Sequence, residues 1–446
     1  MQHATTPSLT GIHLPTEQIN GNKSITHALN KLTPFLLLLP IMTNDDDPSG
    51  STPEPPGLQS PPPLPPQPPP EPAFPAHDEP RVWLISSGDS PIGITVSRQV
   101  LEHGDYVVSG LVPASLTRAE GRREQFTEFM EDIEQRGWKE RFRPVALDIR
   151  RMGECQAAVA EAVRLFGRVD ILLCCTSQAV LGTVEEFGAS NQTLSLVRDQ
   201  VESNYFGPVN IIKAVIPEMR RQKKGHILVL SGISMPCSYT PWVANDANSP
   251  IAGHIGTPGL GVYCASEWAL EGFCDSIAYE IAPFNIKVSI LQSSVEIRIL
   301  TNLITSVPPI YPAYSPAENH APLFRHILDR LLWRLSRQQV HEQHGEKEGV
   351  KEPEFERSAT PTPFSVPTMS VVSKYPPLTP QHIQALITET VHAITAVGGH
   401  VNPPSRHIIG EEGVAAVKEK LKTVSEELED FVQASYSVNV SEEGGN

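Results

Sequence analysis

Tyr263 and Glu267 stand four residues apart in GVYCASEWALEGF (261–273). On a helix that spacing puts a phenol and a carboxylate one turn apart on the same face. A phenol with an ordinary pKa of ~10 exchanges a proton near neutrality only where its surroundings favour the anion. A carboxylate does the reverse: two unit charges ~6 Å apart at an effective dielectric of ~20 repel by roughly 3 kcal/mol. A protonated Glu267 avoids the repulsion and still leaves the phenol unactivated. Two other stretches invite chemistry. ISSGDSPIG (85–93) is a glycine-containing turn ahead of a helix, the kind of place where backbone N–H groups hold phosphates. DILLCC (170–175) ends in the vicinal pair Cys174–Cys175, readable as a redox or metal site or as small buried strand-end residues. No third or fourth ligand is indicated nearby, so the buried reading is favoured and no metal is assigned.

These groups need a scaffold, and the chain changes texture at Arg81 to supply one. RVWLIS reads as a short buried strand and GITVSRQVLEHG as a helix closing at Gly104. DYVVSGLV, FRPVALDI, DILLCC, HILVLSG and IKVSILQ read as five more strands. RREQFTEFMEDIEQRG, CQAAVAEAVRLFG, a long helix through 196–222 and another over 263–283 lie between them. Strands alternating with helices predict an α/β fold of Rossmann type, a doubly wound parallel sheet covered on both faces in one domain.

Composition bounds the rest. The formal charge of −16 argues against nonspecific nucleic-acid binding, since phosphates would repel it. Six cysteines with no CxxC pair fit a reducing compartment, so a cytoplasmic location is expected. PFLLLLPIM (34–42) is too short to span a bilayer, and no transmembrane segment is expected. Residues 1–80 read as a disordered proline-rich arm; PPPLPPQPPP is either a ligand for SH3 or WW grooves or, the favoured reading, a solvated spacer. Two insertions enlarge the substrate-loop region, one at 235–261 and one at 299–378. The second carries Leu323, Ile327, Leu331 and Leu335 as one stripe, with Trp333 and Arg330, Arg334 and Arg337 around it. Such a basic amphipathic helix can touch a membrane peripherally or close over an apolar substrate; covering its own domain is the plainer reading. KEPEFERSATPTPFSVPTMSVVSKYPP after it reads as disordered, and residues 379–446 as helices completing the domain. Their seam of Val414, Val417, Leu421, Val424, Leu428 and Phe431 is expected to dock on the domain.

ALDIRR, FGRVDILL, VESNYFGPVNIIKAVIPEMRRQKKGHILVLSG, YCASEWALEGFCDSIAYEIAPFNIKVSIL and NPPSRHIIGEEGVAAVKEKL follow one another in a telling order. Over 81–298 and about 379–432 the chain resembles the short-chain dehydrogenase/reductase family. The resemblance implies NAD or NADP as cofactor and assigns positions to it. The family's three turn glycines align with Ser87, Pro91 and Gly93, with Gly88 displaced by one. Pro91 has no N–H to give a phosphate, Ser90 is a plausible helix cap, and Asp89 adds a carboxylate where a pyrophosphate would lie. VVSGLVP (107–113) offers neither the acid nor the arginine that reads the adenosine ribose, leaving Arg118, Arg122 or Arg123 as substitutes. Asp148 matches the adenine-side aspartate. Cys174, Cys175, Thr176 and Ser177 replace an Asn-Asn-Ala-Gly run, and Ser293–Ser294 replaces the Pro-Gly that helps seat the nicotinamide.

In the same resemblance Asn204 is the helix asparagine of the catalytic tetrad and Tyr263 its proton donor. Gly232 stands at the serine position; Ser231 is turned to the other face of its strand, and Ser234 is the better surrogate. Glu267 stands where a lysine lowers the tyrosine's pKa and holds the nicotinamide ribose. The expected cofactor contacts are Ser87, Gly88, Gly93, Asp148, Cys174 and Ser294. Loss of the lysine, the serine, two glycines and the ribose reader together predicts an impaired enzyme that acts by binding a dinucleotide, a small apolar or lipid-like ligand, or a protein. The alternatives are an active NAD(P)H-dependent carbonyl reductase or alcohol dehydrogenase using Tyr263 with Ser234, and an interaction protein recruited through its proline-rich arm. The helices at 196–222 and 263–283 correspond to a family pairing surface, so a homodimer is expected.

Overall fold

The computed structural model describes residues 73–112, 120–233, 257–310, 313–314, 323–329, 331–332 and 370–431. PFLLLLPIM, PPPLPPQPPP, Arg118, Ser234, Leu335 and the residues Arg330, Trp333, Arg334 and Arg337 lie outside them. In chain order the first half runs β1 (Val82–Ile85), α1 (Pro91–His103), β2 (Tyr106–Leu111), α2 (Glu120–Gln135), β3 (Phe142–Ala146), α3 (Met152–Phe166), β4 (Ile171–Cys174) and β5 (Gln178–Leu181). Then come α4 (Val184–Gly188), α5 (Asn191–Val201), α6 (Gly207–Gln222), β6 (Gly225–Ile233), α7 (Gly261–Ile281) and β7 (Ile286–Ser294). The last elements are α8 (Val295–Leu300), β8 (Leu303–Ser306), β9 (Val372–Lys374), α9 (Pro380–Val397), β10 (Arg406–Ile408) and α10 (Glu411–Phe431).

Seven strands form one parallel sheet in the order β10-β7-β6-β4-β1-β2-β3, so the predicted doubly wound α/β fold is present. Every residue of β1 is buried, as expected of a central parallel strand covered on both faces. Val82 and Leu84 point to a layer built from α3, α6 and α7. Trp83 and Ile85 point to the opposite layer, from α1, α2 and α9. The order reverses between β1 and β4, which makes their carboxyl ends the switch point of the sheet. Local signals explain α1: Ser90 caps Gly93 N–H, Pro91 opens the helix, and Gly104 ends it in the left-handed region at φ 105°.

Several expectations are revised. The single helix expected over 196–222 is α5 and α6 joined by a π-turn at Glu202–Phe206, where Gly207 N–H reaches back to Glu202 O. Pro208 has no N–H for Asn204, so the ordinary ladder cannot run through that point. A second sheet, β5-β8-β9, stands beside the main one. It takes β9 from a stretch read as disordered.

The buried stripe of the insertion is rotated by one residue. Phe324, Leu328 and Leu332 are buried alongside Leu323, while Ile327 and Leu331 are half-buried. This stripe covers its own domain, packing against Leu260 and Tyr263. Arg325 fixes it by donating to Glu186 Oε2 (3.1 Å), Ser306 Oγ (3.1 Å) and Val307 O (2.9 Å). The seam on α10 docks less than expected, with Leu421 60% and Leu428 62% exposed. Among the described residues no helix is long and apolar enough to cross a membrane.

The end of the proline-rich arm also differs. Phe74 stacks on His103 with centroids 4.0 Å apart, and His77 Nε2 lies 2.9 Å from Asp105 Oδ1. Truncation to residue 73 is therefore expected to leave the melting temperature within about 2 °C, whereas truncation to residue 81 lowers it by about 4 °C or more. Equal melting curves for the two truncations would remove the anchoring role of Phe74 and His77.

Candidate active site

The carboxyl ends of β4, β6 and β7 converge under α7 and α8. One turn apart on α7, Tyr263 and Glu267 are both fully buried, with 0% exposure. Gly232, near the end of β6, donates its N–H to Glu267 Oε2 at 2.8 Å. The other carboxylate oxygen lies 3.8 Å from the guanidinium of Arg298, which is 1% exposed. Arg298 Nη1 donates to Cys175 O at 3.0 Å and Nη2 to Thr176 O at 3.3 Å. The cation thus ties α8 to the end of β4 and to α7 together.

Position 232 has no side chain, and the phenol uses the space. A Cβ built on Gly232 would stand 3.0 Å from the Tyr263 hydroxyl. Burial first, then the Glu267 charge, push the phenol above its ordinary range; Arg298 and Ser177 lean the other way and are outweighed. Burial also raises the Glu267 carboxyl, against the pull of Arg298 and the Gly232 N–H. Among the described residues Ser293 Oγ, Glu267 Oε1 and Arg298 Nε have no hydrogen-bond partner. The arrangement holds charge in place.

The other predicted positions make contacts within the fold. Asn204, inside the π-turn, accepts from Gln178 N (3.0 Å) and donates to Gln178 O (2.9 Å), clamping the start of β5. Ser294 Oγ caps α8 by accepting from Ile297 N at 3.4 Å. Ser231 does face the opposite way, donating to Glu271 at 2.7 Å. Cys174 belongs to the core, and burial pushes its thiol well up. Asp148 is gripped by Arg150 through Nε (2.9 Å) and Nη2 (2.8 Å). Burial opposes its charge, yet the arginine bonds win and hold the carboxyl below its usual range.

The turn after β1 is equally engaged. A Cβ on Gly88 would lie 1.8 Å from Ser109 Oγ, and Gly88 N–H donates to Gly110 O at 2.7 Å. A Cβ on Gly93 would meet Ser87 O at 2.1 Å. Both glycines are needed for the turn's own packing. Gly93 N–H serves the Ser90 cap (3.0 Å), Pro91 has none, and the Asp89 carboxylate is buried in the same turn. With Arg298 at the other end, these residues do not fit a nicotinamide dinucleotide.

One group of three metal-ligating side chains lies together among the described residues, His77, His103 and Asp105. Asp105 already accepts from Arg81 N (2.9 Å) and Trp83 Nε1 (3.2 Å) and pairs with His77, so its oxygens are structural. Sequence reasoning missed Arg298. A carboxylate where the pattern wants a cation was the available signal, because a buried acid needs a buried base.

The sequence profile of the short chain dehydrogenases matches residues 81–242. Over these residues the chain is similar to the short-chain dehydrogenase/reductase family. The chain is 29% identical over 212 residues to oxidoreductase BOA17 of Botryotinia fuckeliana, covering 48% of this chain and 64% of that protein. It is 31% identical over 150 residues to a 3-ketodihydrosphingosine reductase of Bacteroides thetaiotaomicron, covering 34% of this chain and 47% of that one. The chain therefore spans less than two thirds of these relatives. A short-chain dehydrogenase from Streptomyces avermitilis superposes with a TM-score of 0.49 at 20% identity, over 80% of this chain and 98% of that chain. Short-chain dehydrogenases/reductases typically bind NAD or NADP, and one similar structure is a metagenomic short-chain oxidoreductase in complex with NADP.

Proposed function

We propose that the protein is a short-chain dehydrogenase/reductase relative impaired in dinucleotide-linked carbonyl and alcohol chemistry, and that it acts by binding. The observation that supports this is Glu267, a buried carboxylate one turn from Tyr263 where activation of the phenol calls for a cation. The ligand class that fits best is apolar and lipid-like. Leu260, Phe324, Leu328 and Leu332 wall the tyrosine, and relatives carry the names 3-ketodihydrosphingosine reductase, 17-beta-hydroxysteroid dehydrogenase type 1 and retinol dehydrogenase 8. Those names equally favour a second reading, an active NAD(P)H-dependent oxidoreductase using Tyr263 with Ser234. One measurement separates the two. With NADH or NADPH and a long-chain ketone, the wild-type chain is expected to turn over no faster than Tyr263→Phe. Wild-type turnover that disappears in Tyr263→Phe would establish the second reading in place of the first.

A further inference from the structure

An open α/β sheet receives its ligand outside the carboxyl ends of its strands, where the strand order reverses. In this sheet that place is the crevice between the ends of β1 and β4. Backbone carbonyls at such an edge are acceptors that a bound molecule's hydroxyl or amide groups would satisfy. Here Cys175 O and Thr176 O are already satisfied from within, by two donors of one guanidinium. That guanidinium comes from α8, directly after β7, and is buried as deeply as the apolar core around it. A buried cation needs a counter-charge, and Glu267 supplies it while its second oxygen is held by Gly232 N–H. Arginine suits the task, because its planar fork reaches two carbonyls and a carboxylate at once.

We propose that Arg298 is a built-in occupant of the carboxyl edge on the β4 and β6 side of this crevice, filling the end of the site that the nicotinamide half of a dinucleotide needs, with Glu267 as the residue that positions it. The inference rests on the reading of the site as impaired, yet it is separable from it: a protein can bind the dinucleotide and still fail to react.

Calorimetry and cofactor fluorescence on the full chain, with NADH, NADPH and ADP as probes, test it. Wild type is expected to show no saturable binding of NADH or NADPH at millimolar concentration. Glu267→Gln/Arg298→Met removes both charges and keeps the volume; Glu267→Lys/Arg298→Thr reverses and then shortens them. Either pair is expected to bind NADH or NADPH at least about tenfold more tightly than wild type, with ADP affinity unchanged. Micromolar binding of NADH by wild type would overturn the assignment, as would folded pairs that bind no better. A parallel gain for ADP would also overturn it, since general loosening would then be the cause. Should the pairs fail to fold, phenylglyoxal labelling of wild type decides. Arg298 is expected to stay unmodified while the exposed Arg151, Arg164 and Arg221 react, and equal labelling would remove the buried plug. Turnover no higher than Tyr263→Phe, alongside failure of these tests, would leave the impaired reading standing without the plug.

Discussion

Arg298→Ala is expected to lower the free energy of unfolding by about 3–5 kcal/mol, because it strands a carboxylate deep in the fold. Glu267 is 0% exposed, and without the guanidinium its charge loses its nearest cation, keeping the Gly232 N–H. The same change removes the Arg298 bonds to Cys175 O and Thr176 O. Glu267→Gln/Arg298→Met should recover most of the loss, since replacing both members of a buried pair by groups of similar volume is close to neutral. Urea denaturation of the wild type, both single variants and the pair gives the coupling directly. A loss below about 1 kcal/mol for Arg298→Ala would show that the carboxyl is neutral in the fold and the ion pair idle.

Acid is expected to unfold the protein through His226. This β6 residue is buried, and its Nδ1 accepts Gly399 N–H at 3.0 Å. Its Nε2 lies 3.1 Å from Ser289 Oγ, which itself donates to Pro404 O at 2.5 Å. The imidazole must therefore be neutral with its proton on Nε2; a second proton on Nδ1 would expel Gly399. Burial, then the charges of Lys287, Arg81 and His400, bring its pKa down to about 3. The folded value lies below the unfolded one, so the unfolded chain takes the proton first. Stability from this group is complete above about pH 6.5 and is lost as pH falls toward about 3, at up to about 1.4 kcal/mol per unit. His103 and His407, both lowered by burial, act in the same direction, and Asp148 adds its own loss at lower pH. The decisive quantity is thus the difference between wild type and His226→Gln, which should shrink steadily from pH 6.5 to pH 5. Parallel stability curves across that interval would show that His226 titrates normally.

Much of this was legible in the sequence, and what was missed has a common cause. Val82–Ile85 announced a buried parallel strand, and Ser90, Pro91 and Gly104 announced both ends of α1, because those signals are local. Leu303–Ser306 and Val372–Lys374 are four and three residues long and owe their strand form to pairing with each other and with β5. No periodicity can declare that. The π-turn follows from Pro208, but the register that makes it productive, with Asn204 clamping Gln178, is tertiary. At the site, the sign reversal at Glu267 was readable and its answer was not. Arg298 sits in an apolar run where a lone cation looks like a surface residue, and only the fold brings it to α7. Gly232, Tyr263 and Glu267 come together, whereas Asn204, Asp148, Cys174 and Ser294 are held by partners elsewhere in the fold.

Arg81, at the foot of the central strand, donates to Gly398 O across 317 residues of chain. Trp83 lies against the same glycine, where an added Cβ would stand 2.3 Å from its ring, and His226 holds Gly399. The middle of the sheet therefore leaves the ribosome long before the segment that seals it. Until residues near 399 emerge, the nascent chain carries an unsealed guanidinium, an open imidazole and the apolar faces that α9 will later cover, among them Trp83 and Ile85. Closure so distant in sequence makes folding slow, since the two ends of the contact must wait for each other. For this protein the hazardous interval is its own translation, when a half-built sheet must be shielded from neighbours until α9 and β10 arrive.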